Sequence, residues 1–571
     1  MRVCFPPAAC AVVRIAPKAA AFLLSAFLSY SAVVPAAMAA DSATSIAVLF
    51  EERSPLIEAW PVRHVVALRA FYEAGGFRAR WTSEEGLDAR GTALIAAIER
   101  IEDHGLSPEV LALPTIKSLV ARDDAPSRLL LELQLSSAFL RMAAWLDGTE
   151  REEGAPRHRV FDLPADGHEP KDLARLLDTA GPAEVLAGLS PASSQYQRLL
   201  AARAVQRAAL AKTPDWPKVP AGETIRPGHG DSRVTAVRKR LAASGEFTEA
   251  AAHPERYDPK LVEAVKAFQA RHGLEPDGAI GKTTVVALNM SPADRLAQID
   301  ATLERWRRMP RDLGPRHLLV NVPAYRLTLM DGDKTAMEMK VVVGTRQRQT
   351  PTFSSRVNGV EINPTWTVPA KLAVEDIMPA IRKNPNYLEE HGIRVLAVSD
   401  GGVRRVDPAT IDWSSHNGRS LPFRFRQDPG AMNALGKVKM VLPNDEAIYL
   451  HDTPKRSLFR RAQRSFSSGC IRLENPADLA NLLLREGAGW DAAQIEAAFG
   501  KATTRAVPLT AGLPIHIAYL TVWVSDDGRV HFLDDVYELD RRVAQMIQAR
   551  RPLPALAPAP VEGVRTAAIV K

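Results

Sequence analysis

The stretch EAIYLHDTPKRSLFRRAQRSFSSGCIR, running from Glu446 to Arg472, decides how this chain is read. Its first five residues alternate as a half-buried strand does, so His451 falls at a strand end, where a side chain is held in place. Cys470 follows nineteen residues later, directly after the small residues Ser467, Ser468 and Gly469. From His451 onward six basic residues, Lys455, Arg456, Arg460, Arg461, Arg464 and Arg472, stand against the acids Asp452 and Glu474.

These residue types point to thiolate chemistry on an acidic substrate. A free thiol with a pKa near ~8.5 is mostly protonated at neutral pH, so it needs a base or a nearby positive charge. His451 is the candidate base. The small residues before Cys470 let a carbonyl carbon approach, and amide N–H groups of that turn can stabilise an oxyanion. Arg472 is placed to hold a carboxylate through two hydrogen bonds, unless it pairs with Glu474. The other basic residues form either a solvated loop face or a field that attracts acidic peptides.

Working outward, the 571 residues exceed one domain several times over, and 46% hydrophobic content is enough for two to four separate cores. The formal charge of +7 includes Arg2, Arg14 and Lys18, so the body without its first forty residues carries +4. Arginine is spread rather than striped with aromatics, which argues against nucleic acid as a partner. Residues 1–40 combine a basic start, the apolar run AFLLSAFLSYSAVV and a small-residue site around Ala37 to Ala39, the pattern of a secretory signal or an uncleaved N-terminal membrane anchor. The expected location is therefore outside the cytoplasm, in the periplasm, and no later segment is expected to span a bilayer. Cys4 and Cys10 lie in this leader, leaving Cys470 as the one cysteine of the exported body.

From residue 41 to about 225 the apolar residues recur at helical steps, as in LIEAWPVRHVVALRAFYEAGG and TALIAAIERIEDHGL, which predicts a helical scaffold without catalytic residues. The Pro/Gly-rich stretch KTPDWPKVPAGETIRPGHGDS ends it. After Trp306 the period becomes two: Leu318, Val320 and Val322 alternate, then Leu327 and Leu329, and the turn Asp331-Gly332 leads into Met337, Met339, Val341 and Val343. This predicts a predominantly β catalytic domain over 315–505. A break of pattern at about 370–426 marks an inserted cap, a candidate lid. Residues 506–550 are set apart as a C-terminal strand and helix extension, and 551–571 as a disordered tail.

Between Ser232 and Met290 the elements VRKRL, YDPKLVEAVKAFQARHGL, DGAIG and TTVVALN occur in order, and this stretch resembles the three-helix peptidoglycan-binding module (232–290). The elements HDTP and SSGCIR, with QDPGAMNALGKVKMVLPN upstream (Gln427 to Asn444), resemble the long YcbB-like L,D-transpeptidases, whose catalytic domain is of the YkuD type. The commoner motif has histidine where this chain has Ser468, a departure shared by the YcbB-like branch. The resemblance implies an α+β multidomain protein with a helical scaffold, a peptidoglycan-binding module and a capped β-rich catalytic domain.

It further implies Cys470 as nucleophile and His451 as general base, with Tyr449, Ser468 and Gly469 lining the acyl site and Arg472 positioning the donor. The implied reaction is acyl transfer from a peptidoglycan tetrapeptide stem, with loss of D-Ala and formation of a 3→3 cross-link. No cofactor or metal is implied, and carbapenem-type β-lactams are the expected covalent inhibitors. Hydrolysis of the thioester (an L,D-carboxypeptidase), transfer to another acceptor such as a lipoprotein, and a non-catalytic wall-binding scaffold are the alternatives. A papain-like peptidase is disfavoured by order, since its nucleophile precedes its histidine.

Overall fold

The computed structural model describes residues 42–51, 62–150, 167–250, 252–399, 402–415 and 421–554. The leader expected over 1–40 and most of the tail expected from 551 lie outside the described residues. The described residues divide into two compact units, one within 42–150, 167–190 and 550–554, the other within 191–549.

The first unit is built around the helix Ala125–Leu146, which is buried on nearly every side. Asp124 caps it, accepting from the Ser127 amide at 2.8 Å. The helix is long and apolar enough to cross a membrane, contrary to the expectation that no later segment is, but 83% of its apolar window is buried inside the protein. It is the core helix of its unit. Glu132, at its middle, accepts from the amides of Arg80 and Trp81 at 2.8 and 3.0 Å and from the Tyr72 hydroxyl at 3.0 Å. A fully buried carboxylate is tolerated only when hydrogen-bonded in this way. Trp81 and Trp145 are core residues. Leu553 is also buried here, and its amide donates to Val110 at 2.9 Å, so the first residues of the expected tail are anchored.

The scaffold's expected boundary at 225 moves. Helix Ser194–Lys212 belongs to the second unit, where Tyr196 and Leu199 pack with Ile299, Leu303 and Trp306 of helix Pro292–Arg308. Arg203 pairs with Asp300 at 2.5 Å across the same contact.

Helices Arg233–Ala243, Pro259–Arg271 and Lys282–Leu288 enclose a small core of Val234, Val237, Leu241, Leu261, Val265, Phe268 and Leu288. Gln269 fixes the Asp277-Gly278 turn, accepting from the Gly278 amide at 2.8 Å and donating to the Ala279 carbonyl at 2.9 Å. Gly278 is left-handed there, with φ +74°, as the turn requires.

The strands of the second unit are β1 (Arg316–Asn321), β2 (Arg326–Asp331), β3 (Lys334–Gly344), β4 (Phe353–Ile362), β5 (Trp366–Thr367), β6 (Ile393–Ser399), β7 (Gly402–Val406), β8 (Phe423–Gln427), β9 (Val438–Val441), β10 (Leu450–His451), β11 (Ser465–Ser467), β12 (Ile471–Leu473), β13 (Arg505–Ala518), and the separate antiparallel pair β14 (Val522–Val524) and β15 (Val530–Phe532). Nine of them form one sheet in the order β11-β3-β12-β10-β9-β4-β13-β1-β2, and pairing of β2 with β3 closes it on itself. Alternate residues point inward, among them Val341, Val360, Ile362, Met440, Leu450, Ile471 and Leu473, and helix Pro476–Ala488 packs on this core with Leu479, Leu483 and Leu484.

Strand β13 pairs with both β4 and β1. The sequence-based boundary after 505 therefore cuts through a central strand, because Ile515 and Ile517 are core residues of the same sheet. The inserted region forms a second sheet, β5-β8-β6-β7, with its own core around Ile377, Ile381, Val395 and Phe425. Asn433 closes the base of this cap, its amide donating to the carbonyls of Pro364 and Asp428 at 2.9 and 3.0 Å.

Candidate active site

Strands β10 and β12 are parallel neighbours, with Leu450 opposite Ile471 and His451 opposite Arg472. The Ile471 amide donates to the Tyr449 carbonyl at 3.1 Å and carries the ladder one step further. Side chains alternate between faces along a strand. Leu450, Ile471 and Leu473 enter the barrel core, so Tyr449, His451, Cys470 and Arg472 share the opposite face. Lys439 lies opposite His451 on β9, and Glu361 lies opposite Lys439 on β4, which adds both to that face. A period of two and one strand register thus bring together residues that the sequence holds up to 111 positions apart, Glu361 and Arg472.

His451 is buried. Its Nδ1 faces the backbone carbonyl of Asp452, which can only accept, so Nδ1 carries the proton and Nε2 is left with the free lone pair. The orienting group is thus a main-chain oxygen. The Asp452 carboxylate instead braces the loop, accepting from the amides of Lys437 and Thr453 at 2.9 and 2.7 Å. Burial, with the charges of Arg472 and Lys439, pushes the His451 pKa down to about 3.

Cys470 is partly exposed, with Sγ 3.8 Å from the Ala447 carbonyl. Ala447 holds a left-handed φ of 54° at the tip of the β9–β10 connection. Burial raises the thiol pKa, opposed by hydrogen bonds from Tyr449 and by the charges of Arg472 and Lys439. The Tyr449 hydroxyl meets both Cys470 and Trp366, the latter at the root of the cap, and its own pKa is raised by burial and by Cys470. The Lys439 ammonium sits 4.8 Å over the Tyr449 ring and pairs with Glu361 at 3.2 Å. At neutral pH the resting pair is therefore a thiol and a neutral imidazole.

The turn before Cys470 is held from within. The Ser467 hydroxyl donates to the Cys470 carbonyl at 2.6 Å and accepts from the Gly469 amide at 3.2 Å. The Gly469 N–H, expected to be an oxyanion donor, is thus already engaged. Gly469 adopts φ +120°, a conformation that favours glycine, with Ile448 Cδ1 3.3 Å from where a Cβ would stand. The Ser468 hydroxyl is exposed and lies 3.1 Å from Arg348 Nη1. Arg348 continues to Asp376 at 2.6 Å and Glu375 at 2.8 Å, on the π-helical turn Ala373–Ile377 of the cap.

Arg472 is half-buried, its Nε lacks a hydrogen-bond partner, and no carboxylate lies within ion-pair distance among the described residues. Glu474 accepts from the Lys340 amide at 3.2 Å, so the salt bridge weighed for Arg472 does not form. Arg464 also departs from expectation. It is buried and donates to the carbonyls of Val341, Tyr325 and Arg461 at 3.2, 3.1 and 2.7 Å, so it pins the loop rather than facing solvent.

Sequence reasoning missed Lys439, Glu361, Trp366 and Arg348. The alternating KVKMV run marks Lys439 as a strand residue, but only the β9–β10 pairing places it beside His451.

Residues 315–506 match the family YkuD, described as L,D-transpeptidase catalytic domain; residues 66–202 match a Scaffold domain, and residues 230–288 match PG_binding_1, "Putative peptidoglycan binding domain". A curated protein of Haemophilus influenzae, "Putative L,D-transpeptidase", is 39% identical over 226 residues, 40% of this chain and 45% of that protein. The chain thus spans less than half of that relative's length. Among solved structures, the Ldtfm-avibactam carbamoyl enzyme shares 12% identity over 37% of this chain and 51% of its own, with a TM-score of 0.17. The Xylanimonas cellulosilytica L,D-transpeptidase (residues 123–326) shares 13% over 52% of this chain and 98% of its own, with a TM-score of 0.16. Scores so low carry no weight for the fold. The family matches and the curated relative do: residues 315–506 are a YkuD L,D-transpeptidase catalytic domain, in a chain that also carries a peptidoglycan-binding domain.

Proposed function

We propose that this protein is an exported, periplasmic cysteine L,D-transpeptidase that forms 3→3 cross-links between peptidoglycan stems. The observation that carries the reading is the shared face of β10 and β12, which bears both the His451 imidazole, kept neutral by burial, and the Cys470 thiol. In the first half-reaction Cys470 Sγ attacks the carbonyl carbon between the third residue and the terminal D-Ala of a tetrapeptide, while His451 Nε2 takes the thiol proton. The oxyanion collapses, the C–N bond breaks, and D-Ala leaves with that proton, giving a thioester. In the second, the side-chain amine of another stem attacks the thioester, His451 takes its proton and returns it to the departing sulfur. Arg472, with an unpartnered Nε on this face, is suited to a stem carboxylate. The wall-binding module would hold the chain near its substrate.

Incubation with purified tetrapeptide muropeptides, read by mass spectrometry, tests this. Dimers with loss of D-Ala are expected from the wild type and not from Cys470→Ala. Tripeptide monomers without dimers would make the enzyme a carboxypeptidase, and no change in either protein would leave a wall-binding scaffold.

A further inference from the structure

Three successive residues before the nucleophile each receive one hydrogen bond from a single loop that lies about 120 positions earlier in the chain. The Thr345 amide donates to the Ser467 carbonyl at 3.0 Å, Arg348 Nη1 lies 3.1 Å from the Ser468 hydroxyl, and the Thr350 hydroxyl donates to the Gly469 carbonyl at 2.7 Å. We propose that the loop Gly344–Thr350 is the positioning element of the nucleophile turn, with Thr350 as its principal positioning residue. This rests on the reading of Cys470 as nucleophile.

Thr350 is 2% exposed, and its hydroxyl is fully used: it donates to Gly469 and accepts from the Gly344 amide at 2.9 Å. One hydroxyl thereby ties the carbonyl preceding Cys470 to the end of β3. The loop itself is clamped from the C-terminal side. The Tyr537 hydroxyl donates to the Gly344 carbonyl at 2.8 Å and accepts from the Thr350 amide at 3.2 Å, and the Tyr537 amide donates to the Tyr519 hydroxyl at 2.8 Å. Gly344 allows the loop to fold back so tightly, since a Cβ there would stand 2.1 Å from the Arg348 carbonyl oxygen. The peptide unit held by Thr350 is the one that joins Gly469 to Cys470, so its carbonyl fixes the direction of the Cys470 N–H. That amide is the donor left to face an oxyanion, given that the Gly469 N–H is bonded to Ser467. Thr350 therefore acts on the step that needs an oriented carbonyl, and not on the thiol's exposure.

The test compares full-length wild type, Cys470→Ser, Thr350→Val, Thr350→Ser and Tyr537→Phe in two reactions: acylation by a carbapenem, followed by loss of β-lactam absorbance, and alkylation by iodoacetamide, which needs a thiolate but no oxyanion donor. Thr350→Val, which keeps the shape and loses the hydroxyl, is expected to acylate at least tenfold more slowly at saturating carbapenem. Its alkylation should stay within threefold, and Thr350→Ser should match wild type within threefold in both. Acylation of Thr350→Val within threefold of wild type, with Cys470→Ser silent, overturns the positioning role and leaves the nucleophile standing. Equal loss in both reactions also overturns it, as a general disturbance of the thiol. Acylation of Cys470→Ser at the wild-type rate overturns the nucleophile reading instead. Should Thr350→Val not fold, Tyr537→Phe carries the test: selective slowing of acylation by threefold or more supports the role, and unchanged acylation overturns it.

Discussion

If His451 rests as a buried neutral base, acylation of Cys470 should be nearly blind to acid over a range where an ordinary histidine would fail. The perturbation is pH. Burial, then Arg472 and Lys439, hold the imidazole pKa at about 3. About 1% of it is then protonated at pH 5, against about 97% for an ordinary histidine of pKa ~6.5. Carbapenem acylation measured by stopped flow should thus change by less than about 1.2-fold between pH 7 and pH 5, whereas an unperturbed base would lose about 25-fold. Iodoacetamide alkylation, which consumes thiolate, should instead rise with pH up to and beyond the ordinary thiol range, because burial raises the Cys470 pKa. His451→Gln should slow acylation by about 10²-fold and abolish the difference between the two profiles. A lower limb with an apparent pKa between 6 and 7 in the wild type would refute the reasoning, since it would mean that the base titrates as if solvated.

Other consequences follow from the same geometry. Stability carries the same sign: below pH ~6.5 the unfolded chain binds a proton at residue 451 that the folded chain refuses, so wild type should lose about 2 kcal/mol relative to His451→Gln between pH 7 and pH 5, read by urea unfolding. The buried histidines common to both proteins cancel in that difference. Arg472→Gln should raise KM for a tetrapeptide with a free carboxylate at least tenfold and leave KM for its amidated analogue within threefold; equal effects on both would remove the carboxylate from the role of ligand. Arg348→Ala should speed hydrogen exchange over Ala373–Ile377 of the cap while shifting Tm little, because exposed ion pairs contribute only ~0–1 kcal/mol each. Unchanged exchange there would show that the Asp376 and Glu375 contacts do not hold the cap.

Much of the candidate catalytic face was legible because local rules produce it. Alternation in EAIYLH puts Tyr449 and His451 on one side and Leu450 on the other, whatever the partner strand. Ser-Ser-Gly before Cys470 signals a tight turn, and Gly469 does adopt a positive φ. The basic run was harder to interpret. Arg464 and Arg472 are both arginines in a charged stretch, yet one caps main-chain carbonyls and the other has no carboxylate partner among the described residues. Charge alone does not reveal which carbonyls a guanidinium will meet. The break after 505 misled for a related reason: it falls at the first residue of β13, and only the pairing of that strand with β4 and β1 makes it part of the sheet.

By itself the sequence determined a candidate nucleophile and a candidate base, the alternation that orients them, and the order of helical, peptidoglycan-binding and β-rich regions. These depend on residue type and on spacings within one element, which the chain carries locally. The tertiary structure alone decided that β10 and β12 lie parallel with His451 against Arg472, that Lys439 joins them, that the imidazole is held neutral, and that Thr350 ties down the Gly469 carbonyl. Each of these is set by pairings between distant segments and by the burial that closing the sheet creates, and a pKa or a hydrogen bond follows from that environment, not from the residue's own identity.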